Sequence, residues 1–212
     1  MAKETFLNLP LEKQDHILRE SIKEFAKKGY HNGNIGIIAK NAGVSKGSMY
    51  QYFENKEELY MDSIKKSIEI SMEYTKAPLV KDKSINIFEY IYAAFESSWP
   101  ILKKEPYIIE FLQNIYYANL APKNLPALDY ILKSSRDFLL ELIKANKDMG
   151  VLRQDISDES MLLFFEGVTV KFKEEMLLMA KSQKKLIYDT TFKDYESLIK
   201  DMIELLKSGI KK

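Results

Sequence analysis

Apolar residues recur every three or four positions along most of this chain, the spacing that places side chains on one face of an α-helix. The sequence lacks the alternation of apolar and polar residues that marks a half-buried strand. Glycine and proline divide the helical pattern into about nine segments. The pattern therefore predicts an all-α protein of about nine helices.

The predicted helices form two groups, separated by a break in the pattern. A helix over residues 56–76 follows the first group, and a charged loop over residues 77–83, which contains Pro78, comes after it. We expect one domain over residues 1–55 and a second over residues 56–212, joined by the helix over residues 56–76.

Proline and glycine set the expected ends of several helices. The first long helix is predicted from Pro10, which suits an initial turn, to Lys28, with Gly29 ending it. A later helix over residues 84–104 is expected to be interrupted at Pro100, because proline lacks the N–H that the helix needs there.

A helix-turn-helix is predicted just after the first long helix. Asn34 is expected to cap its first helix, and Gly43 to end it, because glycine accepts left-handed backbone angles. Ser45 is the predicted cap of the second helix, from which Met49 and Phe53, four residues apart, point inward. Two short helices joined by a glycine-containing turn form this motif.

The outer face of the second motif helix carries a cation, hydroxyls and an amide, which, apart from the amide of Gln51, favour contacts with the phosphates and sugars of duplex DNA. Asn55 is expected to cap the next helix, with Glu58 reaching back to the N–H of Asn55. Lys56 begins that helix, where its charge is useful against a phosphate. The residues predicted to contact DNA are Asn34, Lys46, Gly47, Ser48, Tyr50, Gln51, Tyr52 and Lys56.

The charge of the chain is balanced overall but locally basic at the motif. The formal net charge is +1, whereas the stretch from Ala26 to Lys56 holds five lysines and one acid, Glu54. Lysines on a helical surface usually serve only solvation. Their coincidence with the motif favours a small electrostatic footprint for DNA.

The motif resembles the N-terminal signature of the TetR family of bacterial transcription regulators, over about the first quarter of the chain. The resemblance implies an all-helical homodimer, with an N-terminal DNA-binding domain and a C-terminal domain that binds a small molecule. It depends on Ile38, Ala39, Ala42, Gly43, Val44, Ser45, Gly47, Tyr50, Tyr52, Phe53, Lys56 and Leu59.

The second half of the chain is rich in aromatic residues, which suit either a core or a pocket for an apolar or aromatic ligand. For any one ring, core packing is the better interpretation. For the set, the family resemblance favours a cavity. The ring residues predicted to bind a ligand are Tyr92, Phe95, Trp99, Phe111, Tyr116, Phe138 and Phe165.

The last two predicted helices, over residues 158–182 and 192–211, carry wide apolar faces that need cover on more than one side. A second copy of the chain supplies that cover in the family, and a monomeric core is the alternative. The residues predicted at the dimer interface are Phe164, Val168, Phe172, Tyr195, Leu198, Met202, Leu205 and Leu206.

Other chemistry finds little support in the sequence. The chain has no cysteine and two histidines that lack a metal-ligand spacing, so we expect no metal and no cofactor. No nucleophile, base and orienting residue can be assembled, so we do not expect an enzyme. A secretory leader and a membrane span are also missing, which favours the cytoplasm.

These observations and the resemblance together predict a ligand-responsive transcriptional regulator, acting as a repressor. A homodimer would bind a palindromic double-stranded operator and be released by a small, largely apolar or aromatic effector. The alternative is an all-α small-molecule carrier or adaptor whose helix-turn-helix does not bind DNA. Salt-dependent affinity for duplex DNA separates the two.

Overall fold

A computed structural model of the chain describes residues 2–74, 85–117, 126–182 and 189–210. The ten regular elements in these ranges are all α-helices. Nine of them have seven or more residues, which confirms the predicted fold class, and a four-residue helix near the start was not predicted. The helices are α1 (Glu4–Leu7), α2 (Leu11–Asn32), α3 (Ile35–Asn41), α4 (Lys46–Tyr52), α5 (Lys56–Tyr74), α6 (Ile87–Lys104), α7 (Pro106–Tyr117), α8 (Pro126–Asp148), α9 (Asp158–Ser182) and α10 (Phe192–Ile210).

The helices form two compact units, each made of two chain segments. Unit 1 consists of Met1–Met72 and Glu105–Ile131, and unit 2 of Glu73–Lys104 and Leu132–Lys212. Helix α7 therefore belongs to the unit that contains the N-terminal helices. The domain boundary expected at residue 56 remains a prediction. The loop predicted over residues 77–83 lies outside the described residues.

Aromatic rings from α2, α5 and α7 form the core of unit 1. The rings of Phe25 and Tyr60 meet edge to face with centroids 4.9 Å apart, and the ring of Phe111 lies 5.2 Å from that of Tyr60. Burial raises the pKa of Tyr60 to about 12. Nδ2 of Asn114 donates to the backbone oxygen of Ala26 at 2.8 Å, which fixes α7 on α2.

Helix α2 extends beyond its predicted end. Gly29 interrupts the helical geometry with a φ of 67°, as expected of a stop, but one further turn continues to Asn32. Gly33 comes next, and a Cβ there would lie 2.5 Å from Cδ1 of Phe25. The ring of Phe25 therefore leaves room only for glycine at this position.

Helix α6 packs against α10 in unit 2, and its start is fixed by a buried amide on α8. Oδ1 of Asn146 accepts from the N–H of Ile87 at 2.9 Å, and Nδ2 donates to the backbone oxygen of Ile85 at 3.0 Å. Because the amide is buried, these bonds replace those it would make to water. They hold one end of α6 in place on α8.

The interruption predicted at Pro100 is wrong, because α6 continues through it to Lys104. Pro100 is exposed, whereas its neighbours Trp99 and Ile101 are buried. Burial of the flanking side chains offsets the hydrogen bond that proline cannot make.

Candidate nucleic-acid interface

Helices α3 and α4 form the predicted helix-turn-helix, and a side chain caps the start of each. The N–H of Gly36 donates to Oδ1 of Asn34 at 2.8 Å, and the N–H of Ser48 donates to Oγ of Ser45 at 2.9 Å. Each bond satisfies an N–H that the helix leaves without an internal partner. Both predicted caps are confirmed.

The turn and the inner faces of the two helices give the motif a fixed geometry. Gly43 has a φ of 67°, a backbone region that other residues enter only with strain. After it, the N–H of Val44 donates to the backbone oxygen of Ala39 at 2.9 Å. Met49 and Phe53 are buried, as their spacing predicted. The turn and the buried side chains therefore fix the position of the outer face of α4.

The outer face of α4 is polar and accessible. Lys46, Gly47 and Gln51 are exposed, Ser48 is half-buried, and Tyr50 is 47% exposed. Their positions agree with the predicted outer face, and their contact with DNA remains a prediction.

Tyr52 does not lie on that outer face, which corrects the expectation for this residue. It is 9% exposed, and its ring centroid lies 5.9 Å from that of Phe6 in α1. Position 52 is three residues after Met49 and so shares the inward side of α4. The sequence pattern missed α1, which supplies the ring that covers Tyr52.

A cleft of about 480 Å³ brings four of the predicted residues together: Asn34, Lys46, Tyr50 and Lys56. Part of its wall comes from the extra turn at the end of α2 and the residues after it. Because that turn lies beyond the predicted end of the helix, sequence reasoning did not include it. The other lining residues are His31, Asn32, Gly33, Ile35, Glu54 and Asn55.

Lys56 is held at this cleft by two contacts. Its Nζ donates to the backbone oxygen of His31 at 2.9 Å and lies 5.1 Å from the ring centroid of Tyr30. A carbonyl oxygen and the face of an aromatic ring both attract a cation. The positive charge is therefore kept at one place on the surface.

Two hydrogen bonds were predicted for the cap of α5. One is confirmed and the other is corrected. Oδ1 of Asn55 accepts from the N–H of Glu58 at 2.9 Å, as predicted. The Glu58 carboxylate accepts from the N–H of Glu54 at 2.8 Å, one residue earlier than expected. The Glu54 carboxylate lies 2.7 Å from Nζ of Lys3, and this ion pair reduces its repulsion of an anion at the cleft.

The residues predicted to bind a ligand are divided between the two units. Phe111 is 1% exposed and packs in the aromatic core of unit 1, and its role in ligand binding stays a prediction. The side chain of Tyr116 lies outside those that the structure describes. The remaining five, all in unit 2, are Tyr92, Phe95, Trp99, Phe138 and Phe165.

Among these five residues, Trp99 lies beside two other aromatic rings and has a buried N–H group. Its ring centroid lies 5.5 Å from that of Phe192 and 5.7 Å from that of Tyr195. Its Nε1–H is buried, and no described residue accepts a hydrogen bond from it. Nearby on α6, the hydroxyl of Tyr92 donates to the Glu196 carboxylate at 2.9 Å, and this bond raises the pKa of Tyr92.

The residues predicted at the dimer interface separate into two sets. Tyr195, Met202 and Leu206 are buried within the protomer, so their predicted place at the interface is wrong, and they form core contacts of unit 2 instead. The others keep accessible surface: Phe164, Val168, Phe172, Leu198 and Leu205. Sequence reasoning missed four exposed apolar residues of α9, which are Leu163, Val170, Leu178 and Met179.

The described part of the chain lacks a membrane-spanning helix and a cluster of metal ligands. None of the helices there combines the length and apolar character that crossing a bilayer requires. Among the same residues, carboxylates and imidazoles do not gather into a group able to hold a metal ion.

Known proteins match most clearly the N-terminal part of the chain that contains the helix-turn-helix, which is called the head below. The sequence model described as bacterial regulatory proteins, tetR family, matches residues 17–61, which contain α3 and α4. The HTH-type transcriptional regulator YerO of Bacillus subtilis (strain 168) is 40% identical over 65 residues, covering 31% of this chain and only 22% of YerO. The regulator YdgC of the same organism is 22% identical over 202 residues, 94% of this chain and 93% of YdgC.

A solved structure extends the likeness in fold to nearly the whole chain. The transcriptional regulator FadR from Bacillus subtilis, in complex with stearoyl-CoA, superposes with a TM-score of 0.70 at 21% identity. The match covers 92% of this chain and 97% of FadR. The resemblance inferred from the motif is thus confirmed by the family match and by the fold. Residues 17–61 thus belong to the tetR family of bacterial regulatory proteins, and nearly the whole chain has the fold of a solved transcriptional regulator.

Proposed function

We propose that this regulator is a repressor that binds a palindromic operator as a homodimer and leaves it when a small, largely apolar or aromatic effector binds. The observation that carries the proposal is the accessible polar face of α4 beside the cleft that holds Lys46 and Lys56. Such a surface fits the backbone of a duplex. A DNA-binding role also places the protein in the cytoplasm.

Each residue of this surface has a proposed role. Lys46 and Lys56 neutralise phosphates, and the amide of Asn34 donates to a phosphate oxygen. Tyr50 and Gln51 reach the base edges, where a glutamine amide matches the donor and acceptor of adenine in the major groove. Ser48 and Gly47 complete the contact with the backbone, the first through its hydroxyl and the second by allowing close approach. Tyr52 is omitted because it is buried.

The homodimer is supported by apolar surface on α9 and α10. Single exposed leucines are ordinary, but a large exposed set on the last two helices is what a subunit interface covers. The set comprises Leu163, Phe164, Val170, Leu178, Met179, Leu198 and Leu205, each more than a third exposed. Two heads, held about one DNA turn apart, would enter successive major grooves.

The effector site is proposed around Trp99. A buried N–H without an acceptor costs about 1–3 kcal/mol, so a ligand that brings an acceptor gains from binding there. The rings of Phe192 and Tyr195 beside it suit an apolar or aromatic body. The proposed effector is therefore an apolar molecule with at least one hydrogen-bond acceptor.

The switch is proposed to work by differential affinity. An effector that prefers a dimer with wrongly spaced heads removes the protein from DNA only to the extent that it binds that state more tightly. Helix α5 is the proposed coupling element, since it begins at the DNA-binding head and ends where unit 2 begins.

The experiment that tests DNA binding is selection of duplexes from a random library by the full-length chain, followed by titration at several salt concentrations. We expect an enriched palindrome whose half-sites lie about 10 base pairs apart, bound less tightly as salt rises. Failure to enrich any sequence, together with salt-independent affinity, would favour the carrier or adaptor.

The effector is tested in two steps, with stearoyl-CoA as the first probe because it occupies a structure of the same fold. A panel of apolar acids and aromatic compounds completes the screen by thermal shift. The compound that raises the melting temperature most is then added to the complex with the selected duplex. We expect release from wild-type protein and weaker release from Trp99→Phe, which loses the N–H. Equal duplex affinity with and without the compound would reject the switch.

A further inference from the structure

The C-terminal end of α4 is closed in an unusual way. A helix leaves its last four carbonyl oxygens without internal partners, and many helices resolve this with a glycine in a left-handed conformation. Here the residue after α4 is Phe53, with an extended backbone, and its N–H donates to the oxygen of Met49. The oxygens of Tyr50, Gln51 and Tyr52 are left for other donors.

The donors come from the segment that contains α1, almost fifty residues away in the sequence. The N–H of Lys3 donates to the oxygen of Tyr52 at 2.8 Å, and Nζ of Lys3 donates to that of Tyr50 at 3.2 Å. Oγ1 of Thr5 donates to the oxygen of Gln51 at 2.5 Å. All three remaining carbonyls of α4 are thus bonded by two residues.

Packing reinforces these bonds on both sides of the segment. Phe6 is buried, and its ring centroid lies 4.7 Å from that of Phe53, at the end of α4. The N–H of Ala2 donates to Oδ2 of Asp62 on α5 at 2.9 Å. The segment is therefore attached both to α4 and to α5.

We propose that the segment Ala2–Leu9 is a positioning element for α4, with Thr5 and Phe6 as its positioning residues. The residues whose carbonyls it holds include Tyr50 and Gln51, the two that are proposed to reach base edges. A helix of seven residues has little stability of its own, so its last turn depends on such contacts. The link to DNA recognition rests on the function proposed above, whereas the effect on α4 itself does not.

The test compares Thr5→Val, which keeps the shape but loses the hydroxyl, with Thr5→Ser, which keeps it. Leu7→Ala, at an exposed position of the same helix, is the control. Hydrogen exchange of the amides of residues 50–53 is measured first. We expect it to be about fivefold faster in Thr5→Val and unchanged in the other two variants, since one hydrogen bond is lost.

Duplex affinity is measured next, well below the melting temperature, so that every variant is folded. We expect Thr5→Val to bind the selected duplex about fivefold more weakly, with unchanged salt dependence and unchanged affinity for random DNA, because no charge is removed. Thr5→Ser should restore wild-type affinity.

The outcomes distinguish this proposal from the function it rests on. Wild-type exchange and wild-type affinity in Thr5→Val would overturn the positioning role. An equal loss of affinity for random DNA and for the selected duplex would also overturn it, since the segment would then have no effect on sequence recognition. If no duplex is ever selected, the proposed function fails, and the exchange measurement alone decides whether the segment holds α4.

Discussion

Helix α4 and the pair α9–α10 present opposite kinds of surface. Helix α4 buries Met49 and Tyr52 and exposes a cation, a hydroxyl and an amide, whereas α9 and α10 leave large apolar side chains accessible, with Leu205 at 74%. A polar face tied at both ends by hydrogen bonds suits a charged partner. An apolar face suits another apolar face. In the proposed homodimer the two surfaces serve one function, because one head alone would bind DNA weakly and the dimer would supply the second.

The largest expected effect comes from breaking the apolar surface with Leu205→Lys. A symmetric dimer would lose two leucine contacts, each worth about 1.5–3 kcal/mol, so we expect the dimer to dissociate at least about 100-fold more readily. Sedimentation over a concentration series measures this. Leu7→Lys is the matched control, since Leu7 is an exposed leucine of unit 1. Dimerisation equal to that of wild type would remove α10 from the interface.

The next largest effect is expected from Gly33→Ala, which tests how closely Gly33 packs against Phe25. The added methyl would lie 2.5 Å from Cδ1 of Phe25, so we expect the free energy of unfolding to fall by about 1–3 kcal/mol. Urea denaturation followed by circular dichroism measures it. Gly209→Ala is the control, because a methyl there meets nothing within 4 Å and should be neutral or slightly stabilising. Equal stability of the two variants would show that the contact with Phe25 relaxes freely.

A smaller effect is expected from Lys56→Ala, which removes one charge from the polar surface. Affinity for all duplexes should fall about tenfold at low salt, and the dependence of log affinity on log salt should become shallower by about one unit. Lys13→Ala, an exposed lysine elsewhere on unit 1, should leave both quantities unchanged. A wild-type slope in Lys56→Ala would remove this residue from the phosphate contacts.

The smallest effect separates two roles of Asn34. Aspartate also caps helices well, so Asn34→Asp should change the stability of the head by less than about 0.5 kcal/mol. The new negative charge faces the cleft and should weaken duplex binding about threefold to tenfold. Thermal unfolding and duplex titration together measure this. Unchanged affinity would show that Asn34 caps α3 without contacting DNA.

Much of the head was predictable from the sequence because its signals are local. Asn34, Gly43 and Ser45 act within two or three residues of themselves, so their spacing alone indicated two capped helices and a turn. The same locality explains the errors. The burial of Tyr52 depends on Phe6, which lies far away in the chain, and no periodic pattern reports that contact.

In unit 2 the sequence predicted the helices better than their faces. The apolar stripe of α10 was identified, but Tyr195, Met202 and Leu206 turn to the protomer's own core while Leu205 turns outward. Periodicity shows that a stripe is apolar without showing which neighbour covers it. Periodicity likewise did not show that Phe111 packs in the core of unit 1, since α7 lies on α2, distant in sequence.

Crosslinking from position 50 shows directly whether the outer face of α4 lies against DNA. A photoreactive phenylalanine analogue replaces Tyr50 in one sample and Leu205 in another, and each is irradiated with the selected duplex. We expect position 50 to crosslink to DNA, and position 205 to crosslink only to a second copy of the protein. Crosslinks to DNA from position 205 but not from position 50 would contradict this expectation.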